Sequence, residues 1–157
     1  MLLTQAQYPR SLYLDGSAEF APVNLVHVLQ NINNRLDHIS DRLDKISAIS
    51  YNTRIVSRNA QRRAPHPYLP LQKSIAGDGL VLAQAVAHNV ATRNALVPLA
   101  QIPLLGDIPP NFNHNLPSYN HGDILRLIIF YNDDFGIVQG DILPSRIDSF
   151  RRFLSEI

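Results

Sequence analysis

The groups in this sequence with ready acid, base or ligand chemistry are six histidines, thirteen carboxylates and fourteen lysines or arginines, and there is no cysteine. Disulfide frameworks, thiolate zinc sites and a cysteine nucleophile are therefore excluded. The histidines are His27, His38, His66, His88, His114 and His121. No two of them sit four residues apart, the separation that puts two imidazoles on one helix face, and no His-Glu-x-x-His occurs. Asp123, Asp133, Asp134 and Asp141 lie close in sequence and could hold a hard cation or do acid/base work. They lack the alternating spacing of a calcium loop, so helix caps and solvated loop charges account for them better.

Asp134-Phe135-Gly136 matches a kinase tripeptide, but the glycine-rich loop, strand lysine and catalytic-loop aspartate that must accompany it are missing. A helix C-cap at Gly136 is the simpler expectation. There is no Gly-x-Ser-x-Gly elbow and no phosphate-binding Gly-x4-Gly-Lys loop. The residues thus predict no catalytic site, no metal site and no cofactor.

Arginine offers one pattern. Arg54, Arg58 and Arg62 recur every four residues, beside Arg63, and would line one helical face as a row able to contact phosphates. The plainer reading is a solvated helix end, where cations are favoured by the macrodipole. A formal net charge of +1 supplies no general attraction to nucleic acid or anionic membrane.

The element carrying that row is more informative than the row. Leu25, Leu29, Ile32, Leu36, Ile39, Leu43 and Ile46 are spaced alternately by four and three without exception. That is the 3.5-residue repeat of a supercoiled seam. With a at Leu29, Leu36 and Leu43, the d positions are Leu25, Ile32, Ile39 and Ile46. Asn34, Asp37, His38, Asp41, Asp44 and Lys45 form a polar outer face. Leu at a with Ile at d shifts parallel coils from dimers toward trimers or tetramers. Asn33, Arg35, Ser40, Arg42 and Ser47 at the flanks offer no complementary ion pairs to set strand direction. So narrow a stripe fits an intermolecular seam better than the wider apolar face of a globular helix. After Ile46 the repeat degrades, with Ile49, Ile55 and Val56 drifting around the helix.

Around this element the chain reads as an N-terminal arm over residues 1–21, with Asp15-Gly16 as a hairpin signal, and a coiled-coil oligomerisation helix over 22–63 opened by Pro22. A linker follows over 64–79, with three prolines and a Gly77-Asp78-Gly79 end. A small C-terminal domain, 80–157, closes the chain. Within it, Leu80 to Asn94 reads as one helix capped by Asp78, and Pro98, Pro103, Pro109, Pro110 and Pro117 make the next stretch irregular. Asn120 can cap a helix burying Ile124, Leu125, Leu127, Ile128 and Tyr131. Pro144 can open a last helix with Ile147, Phe150, Leu154 and Ile157 on one face. The expected class is mainly α: a long coiled-coil helix, a proline-rich irregular segment and a C-terminal helix-loop-helix.

The terminal unit, Ile124-Leu125-Arg126-Leu127-Ile128-Ile129-Phe130-Tyr131 through Phe135-Gly136-Ile137 to Arg146-Ile147-Asp148-Ser149-Phe150-Arg151-Arg152-Phe153-Leu154, resembles the end of a fungal family. That family is named for meiotically up-regulated fission-yeast proteins and is common in mushroom-forming fungi. The resemblance extends to Arg93-Asn94-Ala95 and Val97-Pro98-Leu99 and implies an upstream coiled-coil-like helix, but no activity. Asn132-Asp133-Asp134, inserted before the glycine, departs from the pattern. The same two helices are also similar to SAP motifs, small DNA-binding units. Gly140-Asp141 stands where those need a lysine, and between Gly122 and Ile157 acidic residues outnumber basic ones, which disfavours DNA binding there.

The sequence therefore predicts a non-enzymatic, homo-oligomerising protein-interaction or scaffold subunit, a dimer to tetramer of itself with a further protein partner. The alternative is a nucleic-acid-binding oligomer using Arg54, Arg58, Arg62 and Arg63. Met1-Leu2-Leu3-Thr4-Gln5 lacks the basic n-region and sustained apolar h-region expected of a signal peptide, and no uncharged apolar run reaches the length of a membrane span. The setting expected is intracellular, cytoplasmic or nuclear.

Overall fold

The computed structural model describes residues 24–62 and 66–156. The arm expected over 1–21, Pro22, Arg63 and Ile157 lie outside the described residues. Among those described the protein is mainly helical and contains no strand. Helix α1 runs Leu25–Ala60, α2 Leu80–Ala85, α3 Val90–Ala95, α4 His121–Tyr131 and α5 Leu143–Ser155, with a single 3-10 turn at Leu116–Ser118.

The chain divides into two units, Met1–Asp37 and His38–Ile157, so the division falls inside α1 and not at the 63/64 boundary read from sequence. In the first unit the described residues are the opening turns of α1. The Asn24 side chain accepts from the His27 N–H at 3.3 Å, as an N-capping residue does.

In the second unit the last turns of α1 are part of the core. Ala48, Ile55, Val56 and Asn59 are buried. Ala48, Asn52, Ile55 and Asn59 are spaced four, three and four apart, which makes a second stripe. It trails the Ile39, Leu43, Ile46 stripe by two residues, or about 200° around a helix, so it lies nearly opposite. The drift of apolar residues after Ile46 is this change of face.

What α1 packs against is the stretch read from sequence as a linker, and here the expectation is corrected. Asn52 Nδ2 donates to the Gln72 carbonyl at 2.7 Å while its Oδ1 accepts from the Gln72 N–H at 2.7 Å. Asn59, one heptad on, repeats the pattern with Leu69, both bonds at 2.9 Å, and donates as well to the Leu154 carbonyl at 2.9 Å. Two side-chain amides thus serve the segment as a neighbouring strand's backbone would, satisfying main-chain groups that burial would otherwise orphan. Further along, Tyr131 Oη donates to the Leu71 carbonyl at 2.8 Å and Asn132 Nδ2 to the Ala76 carbonyl at 2.8 Å. The Gly79 N–H reaches the Ile129 carbonyl at 2.9 Å. Residues 67–79 are therefore a strap bound to α1 and α4. Its prolines keep it extended and remove donors it does not need.

The single helix expected over Leu80 to Asn94 is two. The Val86 carbonyl, which a continuing helix would give to the Val90 N–H, instead accepts from Arg146 Nη2 at 2.5 Å. Asn89 restarts the helix by accepting from the Thr92 N–H at 2.7 Å. Asp78 still holds the start of α2, accepting from the Leu80 N–H at 3.0 Å, although Gly79 occupies the cap position.

Helix α4 has the cap expected of it, enlarged to a capping box by Asp123. Ile124, Leu125, Leu127, Ile128, Ile129, Phe130 and Tyr131 are all buried, so α4 is apolar nearly all round and forms the centre of the unit. Its left-handed C-cap is Asn132, at φ 55°, and not Gly136. Gly136 takes a positive φ in the turn beyond, where Asp133 and Asp134 accept from the Phe135 and Gly136 N–H groups at 2.7 and 2.8 Å. Pro144 lies in the first turn of α5, which buries Ile147, Phe150 and Leu154 as expected. Phe135 and Phe153 meet with ring centroids 4.5 Å apart, and Tyr131 lies edge-on to Phe153 at 5.1 Å, fastening α5 to α4.

Candidate functional site

The apolar residues of the seam all face solvent. In the first unit Leu25, Leu29, Ile32 and Leu36 are between 46% and 65% exposed. In the second, Ile39, Leu43 and Ile46 are 51% to 60% exposed. The seam register continues as Ser50, Thr53, Ser57 and Ala60, small or polar and also exposed. Seven large apolar side chains are thus exposed on the described residues of α1, more than scattered surface apolar residues amount to.

The arginine row does not act as one feature. Arg54 and Arg58 are exposed on α1, Arg62 is half-buried and donates to the Pro67 carbonyl, and Arg63 lies outside the described residues. The carboxylates are used structurally: Asp123 completes the capping box, Asp133 and Asp134 hold the α4–α5 turn, and Asp141 accepts from the Val138 N–H at 3.0 Å. Among the described residues no three His, Asp or Glu side chains come together as a metal site.

Sequence reasoning missed two buried cations. Lys73 is fully buried in the strap; its Nζ donates to the Phe130 carbonyl in the last turn of α4 and lies 5.8 Å from the centre of the Phe130 ring. Burial pushes its pKa down, opposed by Asp78 and Asp107. Arg146 is also fully buried; Nε donates to the Asp141 carbonyl at 2.9 Å and Nη2 to the Val86 carbonyl at the end of α2. Burial lowers its pKa too, opposed by Asp141. Both cations sit at helix C-terminal carbonyls, where the helix dipole favours positive charge. Only the spacing of Arg146 with the apolar face of α5 (Arg146, Ile147, Phe150, Leu154) hinted that it points inward.

The sequence also gave no sign of the pairing of His88 with His121, whose rings stack with centroids 4.5 Å apart. His88 Nε2 lies 3.2 Å from Thr92 Oγ1. His121 Nδ1 is buried without a hydrogen-bond partner among the described residues. The His121 pKa is lowered, first by burial and then by the neighbouring His88 and Arg146.

A cavity of about 760 Å³ lies between the proline-rich loop and the outward face of α4, with Leu104, Pro109, Phe112, Arg126, Leu127 and Phe130 in its lining. Its ionisable lining groups are Arg126, the carboxylates Asp123 and Asp107, committed to a cap and a turn, and the Tyr119 hydroxyl, which accepts from the Asn113 N–H at 2.8 Å.

Comparison with protein families, with curated proteins and with solved structures finds no match to this chain. No helix among the described residues is long and apolar enough to cross a membrane.

Proposed function

We propose that this chain is a non-enzymatic homo-oligomerising scaffold subunit whose copies join along the α1 seam. The observation that carries this reading is the opposition of two stripes on the second-unit part of α1. Ala48, Asn52, Ile55 and Asn59 are turned into the unit's own core, while Ile39, Leu43 and Ile46 are turned about 200° away into solvent. The unit buries Ala48, Ile55 and Asn59 on one side of the helix's later turns, and leaves the stripe of the earlier turns, with coiled-coil spacing, exposed for another molecule. A second copy carries the complementary stripe by identity, and Leu at a with Ile at d favours more than two strands. The helix-loop-helix unit then serves as the platform each copy presents to a further protein. The resemblance to the fungal family brings no activity into conflict with this.

The test separates seam from core. Leu36→Asp should reduce the helical signal by circular dichroism and make it insensitive to protein concentration, while the near-ultraviolet signal of the tyrosine-rich core persists. Ile55→Asp should abolish that near-ultraviolet signal. A Leu36→Asp chain with the wild-type helical content and concentration dependence would exclude the seam as the oligomer contact.

A further inference from the structure

After the end of α1 the chain builds a cleft of about 490 Å³ from three stretches, with Arg62, His66, Tyr68, His114, Pro117 and Arg151 in its wall. Four of those six side chains are basic, and among the described residues lining the cleft there is no carboxylate. Two of the basic groups are positioned by successive main-chain carbonyls. Arg62 Nη1 donates to the Pro67 carbonyl. His114 Nδ1 meets the Tyr68 carbonyl at 2.7 Å, and because a carbonyl only accepts, Nδ1 carries the proton and Nε2 is the ring's other polar atom. Arg151 pairs with Asp148 three residues before it on α5, with both side chains substantially solvent-exposed. An exposed pair of this kind contributes little net stability and competes weakly with a ligand.

A guanidinium presents several N–H donors in a planar fork, so one bond to a carbonyl or carboxylate leaves others to bind phosphate oxygens. The volume lies within the roughly 300–1,000 Å³ of small-molecule sites. We propose that this cleft binds the phosphate group of a small phosphorylated molecule. Arg62 and Arg151 donate to its oxygens, His66 and His114 flank it, and Tyr68 and Pro117 offer apolar contact to the rest of the ligand. A small ligand is favoured over a nucleic-acid strand because the cleft is concave and local, and because a net charge of +1 provides no extended field for a polyanion. The site is independent of the oligomer seam.

Calorimetric titration of the full chain with pyrophosphate at low ionic strength tests it. Saturable binding is expected, weakened about tenfold or more by Arg151→Gln and by His114→Gln and unchanged by Arg126→Gln, which probes the separate cavity beside α4. Circular dichroism of each variant checks that the fold is intact. Absence of saturable binding, or equal weakening by Arg126→Gln, would overturn the proposal. Tighter binding of a single-stranded oligonucleotide, lost in Arg54→Gln or Arg58→Gln, would overturn it in favour of a nucleic-acid ligand.

Discussion

Arg146 and His121 show how a single side chain can make this unit sensitive to its surroundings. Arg146 is a buried guanidinium held by two main-chain carbonyls, with Nη1 left without a partner among the described residues. His121 lies in its field and against His88, and its pKa is held below the ordinary 6.5, burial being the largest cause. A base with a lowered folded-state pKa binds protons more readily when unfolded, so protonation favours unfolding. Stability should be full above about pH 6.5 and fall as pH drops through the interval between that value and the lower folded-state pKa. Urea midpoints measured from pH 7.5 to 5 should decline in the wild type and decline less in His121→Gln. Equal slopes in the two proteins would remove His121 from this role. None of this was visible in the sequence, where His88 and His121 stand thirty-three residues apart and Arg146 reads as one more surface arginine. Their meeting depends on α2 ending at Val86, and that ending depends on Arg146 itself.

The strap shows what decides whether a proline-rich stretch is a linker or a packed element. Its prolines disfavour helix, and backbone outside a helix or sheet needs its N–H and C=O groups satisfied if it is to be buried. Asn52 and Asn59, one heptad apart on α1, supply that through paired bonds to Gln72 and Leu69. Asn59→Ala would orphan the Leu69 N–H and the Leu69 and Leu154 carbonyls, at about 1–3 kcal/mol for each group left unpaired. Chemical denaturation should report a loss of at least that for one group, and a change within error would mean water replaces the amide without cost. Gly79 is constrained differently: a Cβ there would stand 2.2 Å from the Ile128 carbonyl oxygen and 3.0 Å from the Asn132 Cα. Gly79→Ala should therefore destabilise by about 1–3 kcal/mol through overpacking, read from the same denaturation curves. Caps and periodic faces were legible because each is local: the Asn120 cap, Pro144, and the Ile147, Phe150, Leu154 stripe all stand as the sequence suggested. The α4 terminus, expected at Gly136, lies at Asn132, because asparagine also tolerates the left-handed region and the glycine is used in the turn that follows. The Asn52 and Asn59 ladder was not legible, since polar residues on a helix normally signal solvent.

At the scale of the molecule, the large apolar side chains of the described residues fall into a buried group and an exposed one. The described residues from His38 onward bury a continuous core: α2 and α5 pack on α4, and Ile55 and Val56 of α1 and Leu71 of the strap belong to the same cluster. The seam residues belong to none of that core. The sequence displayed the seam clearly because a heptad repeat is a purely local pattern. It hid the division at 37/38, because α1 runs through that point with no proline, glycine or break in helical spacing. The cleft at Arg62 and the cavity beside α4 were likewise invisible, being assembled from stretches far apart in sequence.

Light scattering on the purified wild-type chain measures the consequence directly. One chain has a mass of 17.6 kDa. Association along the seam predicts an absolute mass two to four times that, held on dilution well into the micromolar range. A mass of one chain at all concentrations would contradict it and leave the α1 stripe without the partner its spacing implies.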